Sequence, residues 1–359
     1  MKKIYYITAV FATLFLVGCG DGIDLPGVNV ETDLNKIPLP DNNVNLEQVE
    51  LKPSTEPMLH EGLHTEEDFQ RIRDKKAAGE EPWVSAYQLL VESQFSQKTA
   101  DTYPTELIKR GISGDENYMN AARGATIVYQ QALRWKIEQD DEYAAKAVEN
   151  LNKWVQTCVG VTGNTNLSLA AGLYGYEFAI AGELLRDYGG WDRADFAAFQ
   201  NWLLKVFYPA NDDFLKRHHD TNALHYWANW CLCNIAAKMA IGIVTDRRDI
   251  YNEGIAHLQT GDTNGRLRRA IYHDYAPDYN FAQWQESGRD QGHTLMCVGL
   301  MGVICQLAWS QGDDFFAYDD NLFMRACEYA ACCNYTNETV PYTTYIWQKQ
   351  SQWGYPIPE

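Results

Sequence analysis

From Thr65 onward, apolar positions recur every three to four residues and strand-type alternation is sparse. Thr65 with Asp68 makes a capping start for a helix over Thr65–Lys76, and Trp83–Phe95 follows the break at Pro82. Within Asn117–Ile137, one stripe carries Met119, Ala122, Ala125, Val128, Tyr129, Ala132 and Trp135. The same pattern predicts helices at Glu142–Val159, Ser168–Tyr188, Arg193–Phe207, Asn222–Val244, Asp249–Gln259, Phe281–Ser310 and Asn321–Cys333. Gly, Asn and Asp clusters punctuate them, as at Gly160–Thr165 and Tyr188–Gly190. A single four-helix bundle cannot bury so many broad apolar faces. The expected fold is all-α, an incomplete (α/α) toroid built from helical hairpins. A solenoid is second choice, because no short-period repeat is evident.

The first residues set the compartment. Met1-Lys2-Lys3 is basic, Ile4–Val17 is apolar but too short to span a bilayer, and Leu16-Val17-Gly18-Cys19 has the form of a lipobox. Residues 1–19 are therefore expected to be a lipoprotein signal with lipidation at Cys19. The chain would lie outside the cytoplasm, in the periplasm or at the outer membrane of a Gram-negative bacterium, with the anchor as its only membrane contact. Residues 20–58, rich in Pro, Asn, Asp and Val, read as an extended linker before one folded unit, 59–359.

The net charge of −18 excludes a nucleic-acid partner, which needs a basic footprint. Local basic clusters at Lys216–His219 and at Arg266, Arg268, Arg269 and Arg289 can still focus a field onto an anion. Cys231, Cys233, Cys297 and Cys305 lie in apolar helical runs, which argues against a disulfide scaffold. The cysteines lack zinc-site spacing, so no metal or other cofactor is expected. The 11 Trp and 22 Tyr suit either a core or a sugar-binding surface, since a ring face stacks on a pyranose.

Three stretches put polar side chains where a helix should be apolar. Gln283-Trp-Gln-Glu-Ser-Gly-Arg-Asp-Gln-Gly-His-Thr294 precedes a long apolar run, and helical spacing would set Gln285, Arg289 and His293 on one face. Glu286 and Asp290 overlap that face. In Asp220–Asn234, the residues Asn222, His225 and Asn229 fall at i, i+3 and i+7, with Tyr226 and Trp227 beside them. The third, Asn164–Glu177, offers Asn166 and Tyr174 among small residues. Burying such groups costs several kcal/mol unless they pair with each other or a ligand, and a shared ligand site resolves that cost.

Leu63–Arg73, His225-Tyr-Trp-Ala-Asn-Trp230 and Gln283–His293 resemble the alginate lyase superfamily of bacterial polysaccharide lyases, most closely polysaccharide lyase family thirty-eight. The resemblance runs from about Leu59 to Trp353. It implies that 59–359 is a catalytic domain acting on an anionic polysaccharide, cleaving 1,4-linked uronates such as alginate or glucuronan by β-elimination. In that chemistry donors neutralise the uronate carboxylate, a base takes the C5 proton, and an acid, typically tyrosine, protonates the departing O4. Asn222, His225, Arg289 and His293 match the donor and base roles by type, and the acid is left among Tyr279, Tyr226 and Tyr174. Tyr226, Trp227, Asn229, Trp284, Gln285, Glu286, Asn166 and Tyr174 are expected to contact substrate. The chain departs from related lyases in lacking an adjacent Asn-Asn-His and a tyrosine within Arg289–His293.

Two other functions compete. A glycoside hydrolase would use Glu286 with Asp220 or Asp290, although Glu286 and Asp290 are one turn apart on a single predicted helix and so poorly placed to face each other across a sugar. A non-catalytic glycan-binding lipoprotein has no need of the His, Arg and amide constellation. The choice of uronate, endo or exo action and oligomeric state are not encoded legibly.

Overall fold

The structure, a computed structural model, describes residues 54–335 and 340–343. Its longer helices are α1 (Glu66–Ala77), α2 (Trp83–Glu92), α3 (Tyr118–Glu138), α4 (Asp141–Thr157), α5 (Leu167–Leu184), α6 (Arg193–Val206), α7 (Tyr208–Arg217), α8 (Ala228–Val244), α9 (Arg248–Thr260), α10 (Gln291–Ser310) and α11 (Tyr318–Tyr335), with a single helical turn at Leu267–Ala270. Short strands β1 (Leu107–Arg110) and β2 (Gly160–Gly163) pair in parallel, and β3 (Ile271–Asp274) and β4 (Ala282–Trp284) pair antiparallel.

Local chemistry explains several boundaries. Thr65 caps α1, its hydroxyl accepting from the Asp68 N–H while the Asp68 carboxylate accepts the Thr65 N–H, as the sequence predicts. Pro209 in the first turn of α7 starts a new helix where the chain would otherwise continue α6, so this helix is additional to the sequence expectation.

Helices α3, α5, α8 and α10 neighbour one another in succession, with α4, α6, α7 and α9 packed around them. This is the expected incomplete (α/α) toroid. Of the inner helices, α5, α8 and α10 are apolar nearly all round: every residue of α8 except Trp230 is buried, because helices lie on several sides of it. The outer α4 instead buries one face, Tyr143, Ala144, Ala147, Val148, Leu151 and Trp154. Helices α5 and α8 make the widest contact, and Gly172 permits it, since a Cβ there would lie 2.5 Å from Cys233 Sγ.

Two predicted helices begin later than expected. Residues 221–227 form a turn, so α8 starts at Ala228 and not Asn222; 281–290 contain β4 and a 3₁₀ turn (Gln285–Gly288), so α10 starts at Gln291 and not Phe281. The end of the expected linker is docked: Asn252 holds the Ser54 carbonyl at 2.8 Å, Arg248 holds those of Glu56 and Pro57, and Met58 enters the core. The signal, Cys19 and residues 20–53 lie outside the described residues. All eight cysteines after Cys19 are free thiols.

Candidate active site

The turn before α8 is held from both sides. Asn222 Oδ1 accepts the Leu224 N–H at 2.8 Å and its carbonyl accepts the His225 N–H at 2.9 Å, a local Asx arrangement. The buried Asn264 then donates to the Leu224 and Tyr226 carbonyls at 3.1 and 2.7 Å. His225 is left facing solvent with its ring edge-on to Tyr226 at 4.9 Å, and partial desolvation still holds its pKa below the ordinary histidine value. Tyr226 is buried among Phe214, Trp230 and His219, and burial raises its phenol pKa against a hydrogen bond with Thr165.

The chain's 283–293 stretch closes on that turn. The residue before α8, Trp227, makes no side-chain cap, so the first amides of the helix need partners from elsewhere. Gln285 Oε1 accepts the Ala228 N–H at 2.8 Å and Glu286 Oε1 accepts the Asn229 N–H at 3.1 Å. Two distant polar stretches are thereby locked at one helix end. Glu286 is fully buried, and burial drives its carboxyl pKa upward against the charges of Arg289 and His293 and the Asn229 N–H. Arg289 reaches Glu286 Oε2 at 3.3 Å and lies over the Trp227 ring at 5.2 Å. Asp290 caps α10, accepting the His293 N–H at 2.8 Å, and its other oxygen meets His293 Nδ1 at 2.6 Å. Burial opposes ionisation of Asp290, but the His293 hydrogen bonds prevail and leave its pKa below the ordinary value. An imidazole oriented through Nδ1 by a carboxylate is equipped for proton transfer through its other nitrogen.

A third wall comes from the start of α5. Ser168 Oγ meets His219 Nε2 at 2.9 Å, and the His219 ring sits 5.8 Å from that of Tyr226. His219 is held within a run of three left-handed residues, His218–Asp220, an unfavourable backbone that the surrounding contacts must maintain. Arg110 of β1, opposite Gly163 just before the start of α5, donates to Tyr174 Oη at 3.5 Å. His219 entered the sequence reading only as part of a basic cluster, and Arg110 not at all. Their partners lie 51 and 64 residues away, beyond any local pattern.

The structure thus brings Asn222, His225, Tyr226, Trp227, Asn229, Gln285, Glu286, Arg289 and His293 to one helix end. They do not share helical stripes, because Asn222 and His225 precede α8 and Gln285 and Arg289 precede α10. Several expected substrate contacts are internal. Trp284 is fully buried, donating to the Ala326 carbonyl and packing on Phe323, and is a core residue. Gln285 and Glu286 have no exposed surface and serve the α8 amides, while Asn229 is 1 % exposed. Tyr279 is 52 % exposed on the loop between β3 and β4, its N–H bonded to the Tyr275 carbonyl. Asn166 is half-buried and bonded to Asn164, and Tyr174 is buried against Tyr118.

Histidines, amides and a carboxylate-held imidazole thus gather at one end of a helical toroid. The alginate lyase family model matches residues 73–338, and the chain belongs to that family. Similar solved structures include alginate lyase A1-III bound to a tetrasaccharide, with TM-score 0.59 and 14 % identity over 77 % of this chain and 78 % of that one. Another form of A1-III, from Sphingomonas species A1, gives 0.54 and 13 % over 77 % and 80 %. An alginate lyase from Bacteroides ovatus gives 0.53 and 14 % over 75 % and 82 %. No curated protein sequence matches significantly.

Proposed function

We propose that this polysaccharide lyase cleaves a 1,4-linked polyuronate, alginate or glucuronan, by β-elimination at the N-terminal end of α8. The observation that carries the reading is the junction of Gln285 and Glu286 with the α8 amides, which sets the Asn222–Trp227 turn against Arg289–His293. Asn222 and His225 donate to the carboxylate of the residue being cleaved, stabilising the enolate-like charge that develops. His293, oriented by Asp290, takes the C5 proton. The freed pair forms the C4=C5 double bond, the C4–O4 bond breaks, and O4 takes a proton from Tyr226, whose buried phenol stays protonated at neutral pH. Arg289 is assigned to balancing Glu286 and bracing Trp227, and Tyr279 to the rim.

The hydrolase alternative loses support, because its carboxylates are engaged elsewhere: Glu286 is enclosed, Asp290 holds His293, and Asp220 pairs with Arg217 at 3.0 Å. The N-terminal signal supports attachment to a membrane outside the cytoplasm by lipid on Cys19, and incorporation of an alkynyl fatty acid that disappears in Cys19→Ala is the expected result. For activity, incubation with a panel of polyuronates should raise ultraviolet absorbance as 4,5-unsaturated ends form, with or without chelator. Products with only saturated ends would overturn the elimination, and loss of activity in chelator, restored by calcium, would overturn the metal-free step.

A further inference from the structure

Arg110 carries a charge that the fold does not balance. It is 5 % exposed, its hydrogen bond is the 3.5 Å contact with Tyr174 Oη, and its guanidinium lies 4.7 Å from the centre of the Tyr118 ring. Tyr118 and Tyr174 stack nearly parallel, at 8°. Other buried arginines of this protein have carboxylates: Arg134 pairs with Glu138, Arg186 with Glu183, and Arg325 with Asp274. Among the described residues, Arg110 has none. A phenol and a ring face stabilise a guanidinium in part, but they leave its positive charge in a desolvated place, where an uncompensated ion is costly.

The backbone fixes that charge at the site. Arg110 stands opposite Gly163 in the parallel pair, and a Cβ on Gly163 would lie 1.7 Å from the Arg110 carbonyl oxygen, so the two strands meet here only because residue 163 is glycine. Strand β2 runs directly into Asn164–Ser168, whose Thr165 bonds Tyr226 and whose Ser168 holds His219. Arg110 and the Tyr226–His219 pair therefore flank one short loop.

We infer that Arg110, Tyr118 and Tyr174 form a second carboxylate subsite, taking a uronate residue next along the chain from the one cleaved. The inference rests on the polyuronate reading above and names how that polymer is gripped. A polyuronate presents a carboxylate on every ring, so a substrate placed on Tyr226 carries further anions past the loop. Guanidinium takes a carboxylate through two parallel N–H donors, and the tyrosine faces suit the apolar side of a pyranose.

The test uses the full folded protein with Arg110→Gln and Arg110→Lys, measuring calorimetric binding of a saturated oligouronate, steady-state kinetics on the polymer, and melting temperature. Expected are a loss of oligouronate affinity and a rise in KM of about tenfold or more in Arg110→Gln, with a smaller change in kcat, as for loss of a charge-assisted contact. Arg110→Lys should recover part of the affinity, and neither variant should melt much lower than wild type, since the arginine has no carboxylate to strand and its internal contacts are one long hydrogen bond and a ring face. Unchanged affinity and KM in a lyase-active Arg110→Gln overturns the subsite while the lyase reading stands, as does a lower melting temperature with unaltered kinetics. If wild type cleaves no polyuronate yet binds the oligouronate through Arg110, the subsite stands and the lyase reading falls.

Discussion

Arg289 and Arg110 stand at the two edges of the proposed site and look alike by residue type and by their aromatic neighbours, Trp227 at 5.2 Å and Tyr118 at 4.7 Å. They differ in what answers the charge. Arg289 has the enclosed carboxylate of Glu286, which also caps α8, whereas Arg110 has a phenol. The same residue thus serves architecture at one edge and offers an unanswered charge at the other, and the discriminating feature is the presence of a buried acid.

Glu286→Ala should give the largest effect. It leaves the Asn229 amide uncapped and Arg289 without its partner, so unfolding in urea should report a loss of about 3–5 kcal/mol, the range for breaking a buried pair. A loss below about 1 kcal/mol would remove Glu286 from its structural role and break the comparison at its first edge.

Arg289→Ala should come next, at about 2–3 kcal/mol near neutral pH, because it strands a carboxylate that can still escape by protonation. The pH dependence has a definite sign. Glu286 already has a folded pKa above its ordinary 4.5, and removing Arg289 raises it further. A raised carboxyl favours the fold below its unfolded pKa, and this contribution is lost as pH rises through the folded pKa. The variant should therefore lie nearest wild type in acid and furthest from it above neutrality. An Arg110→Ala protein that loses as much stability as Arg289→Ala would erase the difference between the two edges.

A partly buried acid with no cationic partner among the described residues extends the contrast, and its effect vanishes at low pH. Glu177 on α5 accepts a hydrogen bond from Thr126 at 3.1 Å, and burial raises its pKa to about 8. Its contribution is full below 4.5 and disappears as pH climbs through about 8, so Glu177→Gln should gain on wild type by about 1 kcal/mol for each pH unit above 4.5, levelling off near 8, and nothing in acid. Thermal melts across that range check it, and a gain that does not depend on pH would contradict it.

The sequence was legible where the determinants are local. The Thr65–Asp68 box starts α1 where predicted, and the apolar stripe of 117–137 gives α3 within a residue at each end. It misled where the determinant is distant. Helical spacing can be continued back through the polar runs 222–227 and 281–290, but the α8 amides are satisfied by Gln285 and Glu286 from 57 residues away, which lets the preceding chain turn. The excess of polar side chains correctly marked the place where the two stretches meet. It could not separate internal caps such as Gln285 from groups turned outward such as His225, since burial, not residue type, distinguishes them. Trp284 illustrates the same limit for aromatics.

The most direct test is a crystal structure of His293→Ala bound to a saturated oligouronate. One pyranose is expected against Tyr226 and Trp227 with its carboxylate on Asn222 and His225, its C5–H directed to the place of the missing imidazole, and a further carboxylate on Arg110. An oligouronate bound on another face, with both the Asn222–Trp227 turn and Arg110 untouched, would contradict it.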